Sequence, residues 1–125
     1  MAVNWNQSKG LHYENLAKKY LVQHGLALLK QNYHCRFGEI DLIMLQQEVL
    51  CFIEVKYRNS MKFGGAGSAI PVKKQKKIVK TAMFYIAEND RFKQHPVRFD
   101  ALLIQQQTDR QTTGINWIQS AFYSE

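Results

Sequence analysis

Apolar residues recur at helical spacing from Leu11 to His24, with Tyr13, Leu16, Ala17, Tyr20 and Leu21 on one face and Gly25 where a helix would stop. The pattern then changes period. "LALLKQNYHC" (26–35) reads as a strand, and "GEIDLIML" (38–45) as a second, in which Ile40, Leu42 and Met44 alternate against Glu39, Asp41 and Ile43. "VLCFIEVKYR" (49–58) is the third strand, and the short "QQE" before it predicts an antiparallel hairpin. After the glycine- and serine-rich "NSMKFGGAGSAIP", helical spacing returns in "VKKQKKIVKTAMFYIAEN". Here Val72, Gln75, Val79, Ala82, Met83 and Ile86 are assigned to one face and the lysines largely to the other. "VRFDALLIQ" and "GINWIQSAF" read as two further strands. Strand, long crossover helix and strand predict a parallel pair, so the order αβββαββ predicts an α/β sandwich around a mixed sheet.

"FIEVKYR" departs from this simple patterning. Side chains alternate along a strand, so Phe52, Glu54, Lys56 and Arg58 point one way while Ile53, Val55 and Tyr57 point the other. The first face begins apolar and turns charged without a Gly, Pro or Asn to end the strand. A carboxylate in a half-buried strand needs a cation, hydrogen bonds or a metal. If residues 41 and 54 pair directly, Asp41 faces Glu54, Glu39 faces Lys56, and all four share one face. A slip of one residue would send Asp41 to the opposite face. Two carboxylates beside a lysine form a hard-oxygen site for Mg2+ or Mn2+, with the backbone carbonyl of Val55 as a further ligand. The competing reading is a structural ion pair worth about 0–1 kcal/mol if exposed. Glu39 either supports the site from behind or pairs with Lys56 or Arg36.

Length and composition narrow the class. With 125 residues and 46% hydrophobic content, the chain suits one domain over residues 1–125. Its apolar runs fall well short of the roughly 18 residues that suggest a membrane span, and "MAVNWNQSKG" lacks the apolar segment of a secretory signal. The expectation is a cytoplasmic protein with no membrane partner. Cys35 and Cys51 belong to no zinc-spaced motif, and the four histidines are scattered.

Charge adds a partner. The net charge is +7, and between Val55 and Ala87 there is no acidic residue, while Lys56, Arg58, Lys62, Lys73, Lys74, Lys76, Lys77 and Lys80 fall there. Lysines in the first turns of a helix oppose its dipole. Phosphates would supply the missing negative charge, which marks Arg58, Lys62, Lys73, Lys74, Lys76 and Lys77 as nucleic-acid contacts. The alternative is a solvated charged face. Gly64, Gly65 and Gly67 are not followed by Gly-Lys-Ser/Thr, so they do not make a nucleotide-binding P-loop.

Asp41 followed by Glu54-Val55-Lys56 resembles the Asp…Glu-x-Lys signature of the restriction-endonuclease-like nucleases. More narrowly, "GEIDLI", "FIEVKYR", "FG" at 63–64, "AI" at 69–70 and "RFD" at 98–100 resemble the YraN family of small bacterial proteins, itself similar to archaeal Holliday-junction resolvases. The likeness runs from Glu14 to Asp100. It implies a restriction-endonuclease-like core and a Mg2+- or Mn2+-dependent endonuclease acting on DNA, with Asp41 and Glu54 as metal ligands, Lys56 as catalytic lysine and Glu14 as an auxiliary carboxylate. Two positions depart from the pattern: Ile40 replaces a proline common in the wider superfamily, and His34 stands where the family often has arginine. Other readings stay open. Glu14 is explained almost as well by an i,i+4 pair with Lys18, and Arg98 either nears substrate or pairs with Asp100. Trp117, Phe122 and Tyr123 serve either a homodimer interface, as in similar resolvases, or ordinary packing. A nucleic-acid-binding or scaffold domain of the same fold, without cleavage, is the competing function.

Overall fold

The computed structural model describes residues 5–58, 70–106 and 113–124. Helix α1 (Trp5–Gln23) is followed by strands β1 (Ala27–Cys35), β2 (Gly38–Gln46) and β3 (Val49–Arg58), helix α2 (Val72–Glu88), and strands β4 (Val97–Gln106) and β5 (Thr113–Phe122). The five strands form one sheet in sequential order. β3 and β4 run parallel, and every other neighbouring pair is antiparallel. This is an α/β architecture with a mixed sheet, consistent with a restriction-endonuclease-like core.

α1 begins six residues earlier than its apolar periodicity suggested. It ends where expected, at Gly25 with φ 93°. There Leu26 N–H bonds the Leu21 carbonyl at 3.0 Å and Gly25 N–H that of Val22 at 3.1 Å, the paired closure that a left-handed glycine permits. Ala17 and Leu21 pack from this helix onto Leu42, Met44, Cys51, Ile53, Leu102 and Ile104. α2 packs Ile78, Ala82 and Tyr85 on the other side, against Tyr33, Ile40, Ile43 and Phe52. Its buried stripe is Ile78, Thr81, Ala82 and Tyr85, whereas Val72 and Met83, predicted for that stripe, are exposed. The helix is turned from its predicted orientation because a polar residue, Thr81, spends its hydroxyl on the Lys77 carbonyl at 2.8 Å and so can be buried. Gly38 follows from the same packing. At φ 151°, its missing Cβ would lie 3.1 Å from Thr81 Oγ1.

The β2–β3 register is the predicted one: Leu42 faces Ile53, Ile43 faces Phe52, and so on to Gln46 facing Val49. Gln47, with φ 53°, turns the hairpin. The Asp41 end of β2 is irregular. Ile40 joins the core beneath α2 although Leu42, two residues on, joins the core beneath α1, whereas a regular strand keeps such a pair on one face. Asn32, between the partners of Leu42 and Ile40 on β1, takes φ 55°. Both strands therefore switch faces at Asn32 and Asp41.

Arg98 and Asp100 form a structural pair. Asp100 is fully buried and accepts bonds from Arg98 Nε (2.8 Å), Arg98 Nη2 (2.9 Å), Trp117 Nε1 (3.1 Å) and Ser120 N–H (3.0 Å). The last spans a bulge in β5, where Ser120 has φ 53°. Trp117 is thus tied to the sheet and Phe122 is buried, while Tyr123 is exposed. Replacing Asp100 with alanine would leave the Arg98 guanidinium, largely buried, without its carboxylate. Asp100→Ala is expected to lower unfolding free energy by about 3–5 kcal/mol in urea denaturation; a loss below about 1 kcal/mol would contradict this assignment.

Candidate functional site

The backbone ladder between β2 and β3 ends at Leu42 and Ile53. One step further, the Asp41 carboxylate takes the place of a backbone acceptor, and Val55 N–H donates to its Oδ2 at 2.8 Å. The carbonyl of a strand residue points to the same side as its N–H, so the Val55 carbonyl also faces this gap. Phe52 belongs to the core beneath α2, and strand alternation carries Glu54 and Lys56 to that face. Asp41 and Glu54 lie within hydrogen-bond reach of each other. The structure thus brings Asp41, Glu54 and Lys56 together.

Lys74 completes the group. Its Nζ lies 2.9 Å from Glu54 Oε2, an ion pair to a nearly buried carboxylate. The sequence reading placed Lys74 among phosphate contacts. In the structure it lies four residues before Ile78, on the buried stripe of α2. The spacing 74, 78, 81, 85 carries the signal, with Thr81 rather than Met83 on the buried face.

Glu14 occupies the equivalent place on α1. It is three residues before Ala17 and seven before Leu21, on the buried stripe, and only 8% exposed. Lys18 does not pair with it and instead donates to Gln31 Oε1 at 3.4 Å. Glu14 Oε1 and Glu54 Oε2 are, among the described residues, the buried side-chain oxygens without a hydrogen-bond partner.

Burial, and after it the neighbouring Glu54, pushes the Asp41 carboxyl up to about 9, while the Val55 N–H pulls the other way. Burial also raises Glu14, opposed by a hydrogen bond to Gln31 and reinforced by Glu39 and Glu54. For Lys56, burial and then the adjacent Lys74 ammonium lower the pKa despite both carboxylates. Burial alone would lower Lys74 too, but its contact with Glu54 raises it. Four groups with conflicting charge preferences are packed together, an arrangement that marks sites more often than ordinary surface.

The remaining predicted residues divide. Glu39 is not paired with Lys56: the β2–β3 ladder stops at Leu42 and Ile53, and on the β1 side Glu39 opposes His34, whose Nδ1 lies 3.2 Å from Glu39 Oε2, both well exposed. The face switch at Asp41 breaks the alternation that would have aligned Glu39 with the site. Lys73, Lys74 and Lys77 line a cleft of about 660 Å³ with His34 and Glu39. Lys76 faces a different groove, beside Lys80 and Phe122. The Arg58 side chain, Lys62 and the glycines of the 59–69 segment lie outside the described residues.

The donor set suits Mg2+ or Mn2+ in one respect: these ions are held by one or two carboxylates and complete their shell with water and phosphate. Among the described residues no three His, Cys, Asp or Glu side chains converge as a metal cage. The fit is therefore to Asp41, Glu54 and the Val55 carbonyl.

The sequence profile of the uncharacterised protein family UPF0102 matches residues 13–104, a span that holds Glu14, Asp41, Glu54, Lys56 and Lys74. The chain belongs to the UPF0102 (YraN) family. It is 44% identical over 116 residues to a UPF0102 protein of Legionella pneumophila (strain Corby), covering 93% of this chain and 95% of that one. A UPF0102 protein of Psychromonas ingrahamii is 47% identical over 119 residues, with 94% and 91% covered. One of Stutzerimonas stutzeri is 40% identical over 119 residues, with 95% and 98% covered. The UPF0102 assignment thus spans the whole site. No described helix is long and apolar enough to cross a membrane.

A raised carboxyl pKa means that the folded state holds its proton more tightly than the unfolded chain. The associated stability is present at low pH and is lost as pH rises from the unfolded value, about 3.9, towards about 9. Asp41→Asn removes this penalty. Its melting temperature should match wild type near pH 4 and exceed it by a margin that grows towards pH 9, at roughly 3–5 °C per kcal/mol for a chain of this size. A difference that is constant with pH, or that shrinks as pH rises, would contradict the proton assignment.

Proposed function

We propose that this UPF0102 protein is a metal-dependent nuclease that hydrolyses DNA phosphodiester bonds. The observation that carries the reading is the joining of Asp41, Glu54, Lys56 and Lys74 where the β2–β3 ladder ends, beside a cleft that Lys73 and Lys77 also line. Asp41, Glu54 and the Val55 carbonyl would hold Mg2+ or Mn2+. Bound there, the cation offsets charge developing on the phosphate and makes a water easier to deprotonate.

The chain's own groups do the rest. Lys73 and Lys77 seat the phosphate backbone by charge, independently of sequence. Lys56, on the strand beside Glu54, presents N–H donors to the phosphate oxygens where charge develops, and its lowered pKa lets it exchange a proton more readily than an exposed lysine. Glu14 adds negative potential from the α1 side through a buried carboxyl, which favours cation binding.

A second reading, a nucleic-acid-binding module without cleavage, draws support from Lys74, which already balances Glu54 without a metal. Manganese-dependent cleavage of linear and branched DNA separates the two. The nuclease reading expects cleavage by wild type and its loss, by at least about a hundredfold, in Asp41→Asn, with DNA binding retained. Cleavage by Asp41→Asn at the wild-type rate, or none by wild type on any DNA, would favour the binding module. Under either reading, replacing Lys73 and Lys77 with alanine should flatten the logarithmic salt dependence of duplex binding by up to about 0.9 per lost contact. An unchanged slope would remove the cleft from the interface.

A further inference from the structure

Glu54 is only 7% exposed, and an ionised carboxylate so placed is stabilised by a positive partner. In this structure that partner is Lys74, at 2.9 Å from Oε2. The same carboxylate lies within hydrogen-bond reach of Asp41 and is a metal-donor candidate. A divalent cation on this carboxylate and an ammonium 2.9 Å from it repel each other, so a metal and Lys74 compete for Glu54.

Lys74 is built to leave. Its side chain is 40% exposed, and it lines the same cleft as Lys73 and Lys77. A lysine's four-carbon stem lets its ammonium reorient while the helix stays in place.

We propose that Lys74 is a tethered cation that holds Glu54 until a divalent metal displaces it, whereupon the freed ammonium turns into the cleft and contacts the phosphate backbone. The inference rests on the metal-site reading above. It couples the two ligands: metal binding releases a phosphate-binding group, and phosphate binding draws the competing lysine off the metal site. By reciprocity each ligand strengthens the other to the same degree.

Calorimetric titration of manganese chloride into wild type, Lys74→Met, Lys74→Arg and Asp41→Asn tests this, repeated with a phosphorothioate DNA duplex that resists cleavage. Without DNA, Lys74→Met should bind manganese about five- to tenfold more tightly than wild type, while Lys74→Arg, which keeps the competing charge, should not. Manganese should tighten duplex binding by wild type, and Lys74→Met should lose most of that gain. Uptake by wild type that is unchanged or weakened in Lys74→Met overturns the displacement while leaving the metal site standing. Uptake by none of the proteins, with or without DNA, overturns the metal reading and this inference with it. Melting curves for each variant separate lost binding from lost folding.

Discussion

The bond from Val55 N–H to the Asp41 carboxylate organises the charged end of the β2–β3 hairpin. A backbone N–H removed from water requires an acceptor, and along β3 that acceptor is a backbone carbonyl of β2 only up to Ile53. At Val55 it becomes a side chain. The substitution lets the hairpin part without orphaning the N–H, and it fixes a carboxylate beside Glu54. It also helps explain why β2 can switch faces at Asp41 without the sheet breaking apart. A gap opens in an otherwise continuous sheet, and it is bordered by charge rather than by apolar side chains.

Both helices then bring a charged residue to that end, Glu14 from a buried position and Lys74 from a half-exposed one. Glu14 sits on the buried stripe of α1, and Lys74 on that of α2. Each position carries a desolvation cost. Lys74 recovers part of it through Glu54, whereas Glu14 keeps an oxygen with no donor. A domain selected only for stability would gain by replacing these groups with apolar ones. By contrast, the other buried charged pair, Arg98 and Asp100, is fully hydrogen-bonded and holds β4 to β5. The two clusters show the difference between a polar network that closes on itself and one that does not.

Much of the fold was legible in the sequence because period and turn length agree there. The described strands fall where the pattern puts them, and the hairpin has the register that pairing Asp41 with Glu54 requires. The α2 face was misread because it depends on which of two polar-flanked stripes is buried. Thr81 bonds its own helix and behaves as a core residue, which composition does not reveal. Glu39 was misplaced because strict alternation was extended through Asp41, where the strand departs from it. Such a departure leaves no trace in hydrophobic pattern, since Ile40 and Leu42 are apolar whichever core they enter. The pairing of Lys74 with Glu54 is a contact between α2 and β3 and required the packed helix to be visible.

Anomalous scattering from a crystal grown with manganese chloride addresses the central claim most directly, because it locates the ion without any assumption about substrate. The account predicts one peak at the gap beyond Leu42 and Ile53, about 2.1–2.3 Å from oxygens of Asp41 and Glu54, with the Lys74 ammonium moved off Glu54. A crystal with no peak there, and Lys74 still against Glu54, would contradict it.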